Sequence, residues 1–168
     1  MSDDDIERLI SERSLVREAF DNAQVAGFWT KAVASYSDAR VLGVSADGAL
    51  QLVYTSCLQA TFAVLAARGL RVKSTASHYK AFYALQRLDV PALREYAIRF
   101  DELRATRHAS IYEPDDDEAE IEARRAEAVR MLGVALPKIR AWLAVERPDI
   151  VALITPITAK GLQTRRPR

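Results

Sequence analysis

Between Leu103 and Glu113 the chain reads Arg104-Ala105-Thr106-Arg107-His108-Ala109-Ser110-Ile111-Tyr112, and side chains suited to phosphate and proton chemistry crowd together there. A guanidinium can hold a phosphate through two parallel hydrogen bonds. An imidazole ordinarily exchanges a proton near neutral pH. Extending the apolar stripe from Leu93 through Phe100 by seven residues reaches Arg107, with Arg104 one turn earlier. A guanidinium on an inward stripe needs a carboxylate, a phosphate, a helix-end carbonyl or a wet cleft. In a regular helix Arg107 and Tyr112 stand roughly 140° apart, at about 100° per residue. They converge only if the helix bends there or a second copy completes the site. The competing reading is structural: an ion pair of Arg107 with Glu102 or with the run Asp115–Asp117.

Other chemistry is sparse. The sequence has no Gly-rich phosphate loop, no His-Glu-x-x-His, no nucleophile elbow and no carboxylate cluster outside the acidic run Glu113–Glu122. Two histidines far apart in sequence give no metal site, and no motif calls for a cofactor. His78 falls at an expected helix start, where capping or packing competes with catalysis. Lys80, with Lys73 and Arg71 before it, adds phosphate affinity or simply solvated charge. Cys57 lies on an apolar stripe and reads as a small buried hydrophobe. Trp29 and Trp142 also lie on apolar stripes and read as core.

The elements that must position these groups are helical. The chain has 168 residues, 49% of them hydrophobic, which suits one domain with one sizeable core. Lys and Arg number 24 against 23 Asp and Glu, so the net charge of +1 gives no bulk attraction to polyanions. Any such binding rests on local clusters: Arg99, Arg104 and Arg107, or the basic tail Gln163–Arg168. A single cysteine fits a reducing compartment. Met1-Ser2-Asp3-Asp4-Asp5 is unlike a signal peptide, and no run is expected to reach the 18 or more apolar residues of a membrane helix. A cytoplasmic protein is expected.

Apolar residues recur at 3.6-residue spacing, and strand alternation is almost absent. A first helix starts at Ser2 and carries Ile6, Leu9, Ile10, Val16 and Phe20. A second carries Val25, Trp29, Val33 and Tyr36 and stops near Gly43. The third is capped by Asp47, carries Leu50 to Leu65 and stops at Gly69. After a polar linker, Arg71–Ser77, Ser77 caps a fourth helix with Phe82, Leu85 and Leu88. A fifth starts near Pro91, which suits a first turn, and breaks at Pro114. The last long helix bears Ile121 to Leu143, with Pro137 kinking or shortening it. Ile150–Ile154 docks as a short segment. The expected architecture is an all-α, up-and-down bundle of five to six helices, one domain over 1–155, with 156–168 a flexible basic tail.

The run YTSCLQATFAVLAARG from Tyr54 to Gly69, followed by SHYKAF from Ser77 to Phe82, resembles the central part of the HEPN superfamily. Those helical domains carry a long helix ending in Gly, a His-bearing helix start, and then a helix with a terminal Arg-polar-x-x-x-His signature. Here that signature aligns as Arg107-His108-Ala109-Ser110-Ile111-Tyr112, and the resemblance spans Trp29 to Leu143. It implies a HEPN-like fold, a homodimer, and a metal-independent ribonuclease of toxin type, often paired with a nucleotidyltransferase-like antitoxin. Arg107 would hold the scissile phosphate, His108 would take the polar position, and Tyr112 replaces the terminal His. Arg104, Lys80 and His78 are the candidate RNA- or phosphate-binding residues. A phenol with a pKa of about 10 is a poor general base near neutrality. Three readings therefore stand: a ribonuclease, a degenerate bundle that binds, regulates or is modified by a nucleotidyltransferase-like protein, and a plain helical dimerisation module.

Overall fold

A computed structural model describes residues 3–19, 21–73, 78–112 and 117–154, with side chains described for these except Asp3 and 107–112. The described residues form six α-helices and one small ribbon: α1 (Asp3–Ser11), β1 (Leu15–Arg17), α2 (Asn22–Asp38), α3 (Ala46–Ala67), β2 (Leu70–Val72), α4 (His78–Arg87), α5 (Pro91–Tyr112) and α6 (Glu118–Glu146), closed by a 3-10 turn at Pro148–Ile150. The fold is an all-α bundle, as the periodicity predicts. The helix starts expected at Ser2 and Ser77 are found at Asp3 and His78, and Ser2 and Ser77 themselves lie outside the described residues.

The third helix is the centre. Fourteen of its 22 residues are buried, and it packs against α2, α4, α5 and α6. It is also long and apolar enough, by length and composition alone, to cross a membrane, contrary to the expectation that no run would be. Here its apolar surface is spent on neighbouring helices. Small residues Ala32, Ala60 and Ala63, all fully buried, permit close approach of backbones in the core. Burial obliges the helix to satisfy its buried hydroxyls, although Gln59 Oε1 is buried without a hydrogen-bond partner among the described residues. Ser56 donates to the Ala32 carbonyl of α2 at 2.6 Å, and Thr61 donates to the Cys57 carbonyl one turn back at 2.9 Å.

The ends of α3 set its length. Ser45, not Asp47, is the N-cap, accepting from the Gly48 N–H at 3.1 Å, while Asp47 sits in the first turn against the positive helix end. Gly69, at φ +67, turns the chain left-handed immediately after the helix. That turn delivers Leu70–Val72 antiparallel to Leu15–Arg17, pairing Val16 with Arg71. Val16 therefore belongs to a strand, not the first helix, and part of the expected polar linker is β2. The second helix ends at Asp38, before Gly43, which makes its own left-handed turn at φ +90.

An aromatic series joins the remaining helices. Tyr54 of α3 meets Phe82 of α4 edge-on, and Phe82 meets Phe100 of α5, each pair at 6.1 Å between centroids. Trp29 is fully buried, whereas Trp142 is a partly buried flank of the core with the Arg68 guanidinium 5.5 Å from its ring. Ile150 and Ile154 are buried, so the segment after Pro148 docks as expected.

The sixth helix runs 29 residues through Pro137 without interruption. The missing Pro137 N–H deprives the Gly133 carbonyl, four residues back, of its ordinary helical donor. At that same turn a Cβ on Gly133 would lie 2.6 Å from the Tyr36 hydroxyl, but 3.6 Å from the ring carbon that bears it. Gly133→Ala should therefore lower stability by about 1–3 kcal/mol through overpacking. In a Tyr36→Phe background the same change should cost far less, or gain up to about 1 kcal/mol of helix propensity. Urea unfolding of the four proteins measures the coupling, and equal effects in both backgrounds would sink this account.

Candidate functional site

The apolar stripe of α5 runs inward through Leu93, Tyr96, Ala97 and Phe100 and then turns polar. Arg104, four residues past the fully buried Phe100, remains on this side of the helix and is three-quarters buried at its side chain. Two groups hold it. Its Nε donates to Asp101 Oδ1 at 2.6 Å, and its guanidinium lies 5.5 Å from the ring centroid of Tyr79 in the first turn of α4. The requirement for a carboxylate near an inward arginine is thus met at Arg104 by Asp101, three residues earlier on the same helix.

His78, adjacent to Tyr79, opens α4. Its Nδ1 shares a 2.6 Å hydrogen bond with the Tyr54 hydroxyl of α3. The hydroxyl donates if Nδ1 is unprotonated and accepts if it carries hydrogen. His78 thus pins the start of α4 to the central helix. Lys80 is turned to another partner, Glu12 just after α1, at 2.9 Å; the ammonium holds the Glu12 carboxyl below its usual range. Of the three residues marked for phosphate contact, Arg104 and His78 meet the same turn of α4, and Lys80 joins a separate ion pair.

The side chains of Arg107, His108 and Tyr112 lie outside the described residues, but their helix is informative. Its α-helical backbone is unbroken through Tyr112. By register, Arg104, His108 and Tyr112 occupy successive turns of one stripe, while Arg107 and Tyr112 stand roughly 140° apart. The helix does not end between them, so no terminus folds Tyr112 back onto Arg107. His108 and Tyr112 are the pair that one chain places on a common face.

Two features escaped the sequence reading. Asp101 and Tyr79 complete the surroundings of Arg104, yet neither stands in a recognisable motif. The second is an open groove of about 560 Å³ between α5 and α6, lined by Ile98, Leu103 and Met131 with Arg99, Arg124 and Glu127. Arg99 is paired with Glu95 at 2.8 Å, so charge along this groove is largely balanced. Among the described residues no three His, Cys, Asp or Glu side chains are grouped to hold a metal ion. Compared with protein-family models, curated proteins and solved structures, the chain matches none.

Cys57, the one thiol, is fully buried among apolar neighbours, and burial pushes its pKa far above the ordinary range. It is a core residue and not a nucleophile. A folded pKa raised above the unfolded value of about 8.5 stabilises fully below that pH, and the contribution declines as pH rises beyond it. Stability should fall by about 1.4 kcal/mol per pH unit between roughly 9 and 10 relative to Cys57→Ala. Parallel pH profiles for the two proteins would contradict this.

Proposed function

We propose that the chain is an RNA-directed protein of HEPN type that acts as a homodimer and cleaves phosphodiester bonds without a metal. The unbroken course of α5 supports this reading most directly. By helical register Arg107 and Tyr112 stand apart around the helix and Arg104, His108 and Tyr112 fall on successive turns, a spacing compatible with a second copy supplying the missing face. Arg107 stabilises charge developing on the phosphate oxygens. His108 transfers the proton, because imidazole and not phenol is suited to that exchange near neutral pH. Tyr112 donates a hydrogen bond that orients the phosphate. A nucleotidyltransferase-like antitoxin is the proposed partner in the cell, which would hold the protein inactive in the cytoplasm.

A second reading has its own support. Two of the candidate phosphate-binding cations already have carboxylate partners, Arg104 with Asp101 and Lys80 with Glu12. Neutralised cations attract phosphate weakly, which favours a bundle that binds or regulates a nucleotidyltransferase-like protein, or is modified by it, without cutting RNA.

Induced expression separates the two. Under the ribonuclease reading, wild type arrests growth and degrades total RNA. Arg107→Ala at matched soluble level abolishes both, a loss of at least 100-fold on the scale of a removed charge-stabilising donor, roughly 10²–10³. Tyr112→Phe retains fold and loses activity only if the hydroxyl is used. Well-folded wild type without toxicity or RNA loss would transfer the assignment to the regulatory reading.

A further inference from the structure

The face of α4 between α1 and α5 carries a continuous series of aromatic rings and guanidinium groups. Arg104 lies over Tyr79 at 5.5 Å, and Tyr79 lies 5.8 Å from Tyr83 one turn on. Tyr83 in turn has Arg87 at 4.9 Å and Arg8 of α1 at 5.9 Å from its centroid. Tyr79 is 39% exposed, and the side chains of Arg87 and Arg8 are 42% and 54% exposed. The series follows α4 from Tyr79 to Arg87, about 12 Å at 1.5 Å per residue.

Structural duty explains part of this strip. Tyr83 accepts from Arg8 at 2.6 Å, and Asp5 pairs with Arg8 at 3.0 Å and with Arg87 at 3.5 Å, which together fasten α1 to α4. It does not explain Tyr79, whose ring touches Tyr83 and Arg104 yet stays open to solvent. The three arginines face three carboxylates, Asp5, Asp101 and Glu12, the last of which stands 4.0 Å from Arg8 and is shared with Lys80. The buried Nε of Arg87 has no hydrogen-bond partner, since Asp5 at 3.5 Å makes an ion pair without a hydrogen bond. For Arg104, Asp101 takes Nε, and about a quarter of the side chain remains exposed.

A pair of rings flanked by guanidinium planes suits one ligand class in particular. Unstacked bases lie on Tyr rings and on Arg planes, and guanidinium N–H groups reach the adjoining phosphates. A base-paired duplex hides its base faces and gains nothing from such rings. We propose that the Arg104–Tyr79–Tyr83–Arg87 strip is a track for single-stranded RNA, continuous at Arg104 with the stripe that carries His108 and Tyr112. This inference rests on the RNA-directed reading for its ligand, and it adds that the strand enters along α4. Charge balance is nearly even, so stacking supplies most of the affinity and salt dependence is shallow. Two to three arginine–phosphate contacts give a slope of log K against log salt of about −1.4 to −2.1, at −0.7 per contact.

The test is fluorescence anisotropy with a labelled 2′-O-methyl RNA decamer, resistant to cleavage by its own 2′-hydroxyls. Wild type should bind the single strand in preference to its duplex. Tyr79→Ala should weaken binding by ~5- to 150-fold, the scale of one lost base stack, in a protein that remains folded at the assay temperature. Tyr79→Trp should restore it. Absent binding by wild type, equal binding of duplex and single strand, indifference to Tyr79→Ala, or displacement by inorganic polyphosphate as readily as by unlabelled decamer would each overturn the track. The two readings separate cleanly. Tyr79-dependent binding by a wild type that leaves cellular RNA intact keeps the track and removes the nuclease. Cleavage with binding indifferent to Tyr79 does the reverse.

Discussion

A helix with water on almost no side imposes its terms on everything around it. The third helix is such an element, and its burial leaves no room for an unsatisfied hydroxyl. Ser56 must reach the α2 carbonyl at Ala32, and Thr61 must bond back along its own helix. The first of these fixes where α2 sits. Three more helices, α4, α5 and α6, then cover the remaining sides, and the glycine turn at Gly69 sends the chain into the ribbon with β1. The bundle is organised around one helix, with the others as its solvent.

The candidate site follows from that arrangement at its periphery. The aromatic series Tyr54, Phe82 and Phe100 links α3, α4 and α5 in the core. One turn beyond Phe100 the inward side of α5 meets the first turn of α4, where Tyr79 provides a partial lid. Arg104 occupies that position, with a carboxylate on one side and a ring on the other. The same hydrogen bond that seats His78 on Tyr54 fixes the first turn of α4 and with it the ring of Tyr79. Binding chemistry and packing meet in one short stretch of α4.

Much of this was legible from residue spacing. The stripes of α2, α3, α5 and α6, the stop at Gly69 and the docked Ile150–Ile154 all depend on local periodicity, which a single sequence carries. The ribbon was not legible, because strands of three residues are too short for alternation to repeat. Ser45 and Asp47 are both good caps two residues apart, and only the backbone geometry distinguishes them. Asp101 and Tyr79 gave no signal, since the first is an ordinary helix-surface acid and the second was overshadowed by His78 beside it. The α5–α6 groove depends on how far two helices separate, a tertiary quantity. The inward position of Arg104 could be read, but not which carboxylate would meet it.

The first helix is attached in a different manner from the rest. It buries Ile6 and Leu9, but its grip on α4 is largely polar: Arg8 and Asp5 on Tyr83, Asp5 on Arg87, and Glu12 just beyond it on Lys80. Such contacts weaken as salt rises, whereas apolar burial does not. Nine residues held this way, with two buried apolar side chains among them, have far less apolar burial to hold them than the helices around α3. Ionic strength therefore acts as a selective solvent for one edge of the molecule. Raising it weakens the contacts that fasten α1 to α4 and leaves the apolar burial around α3 untouched.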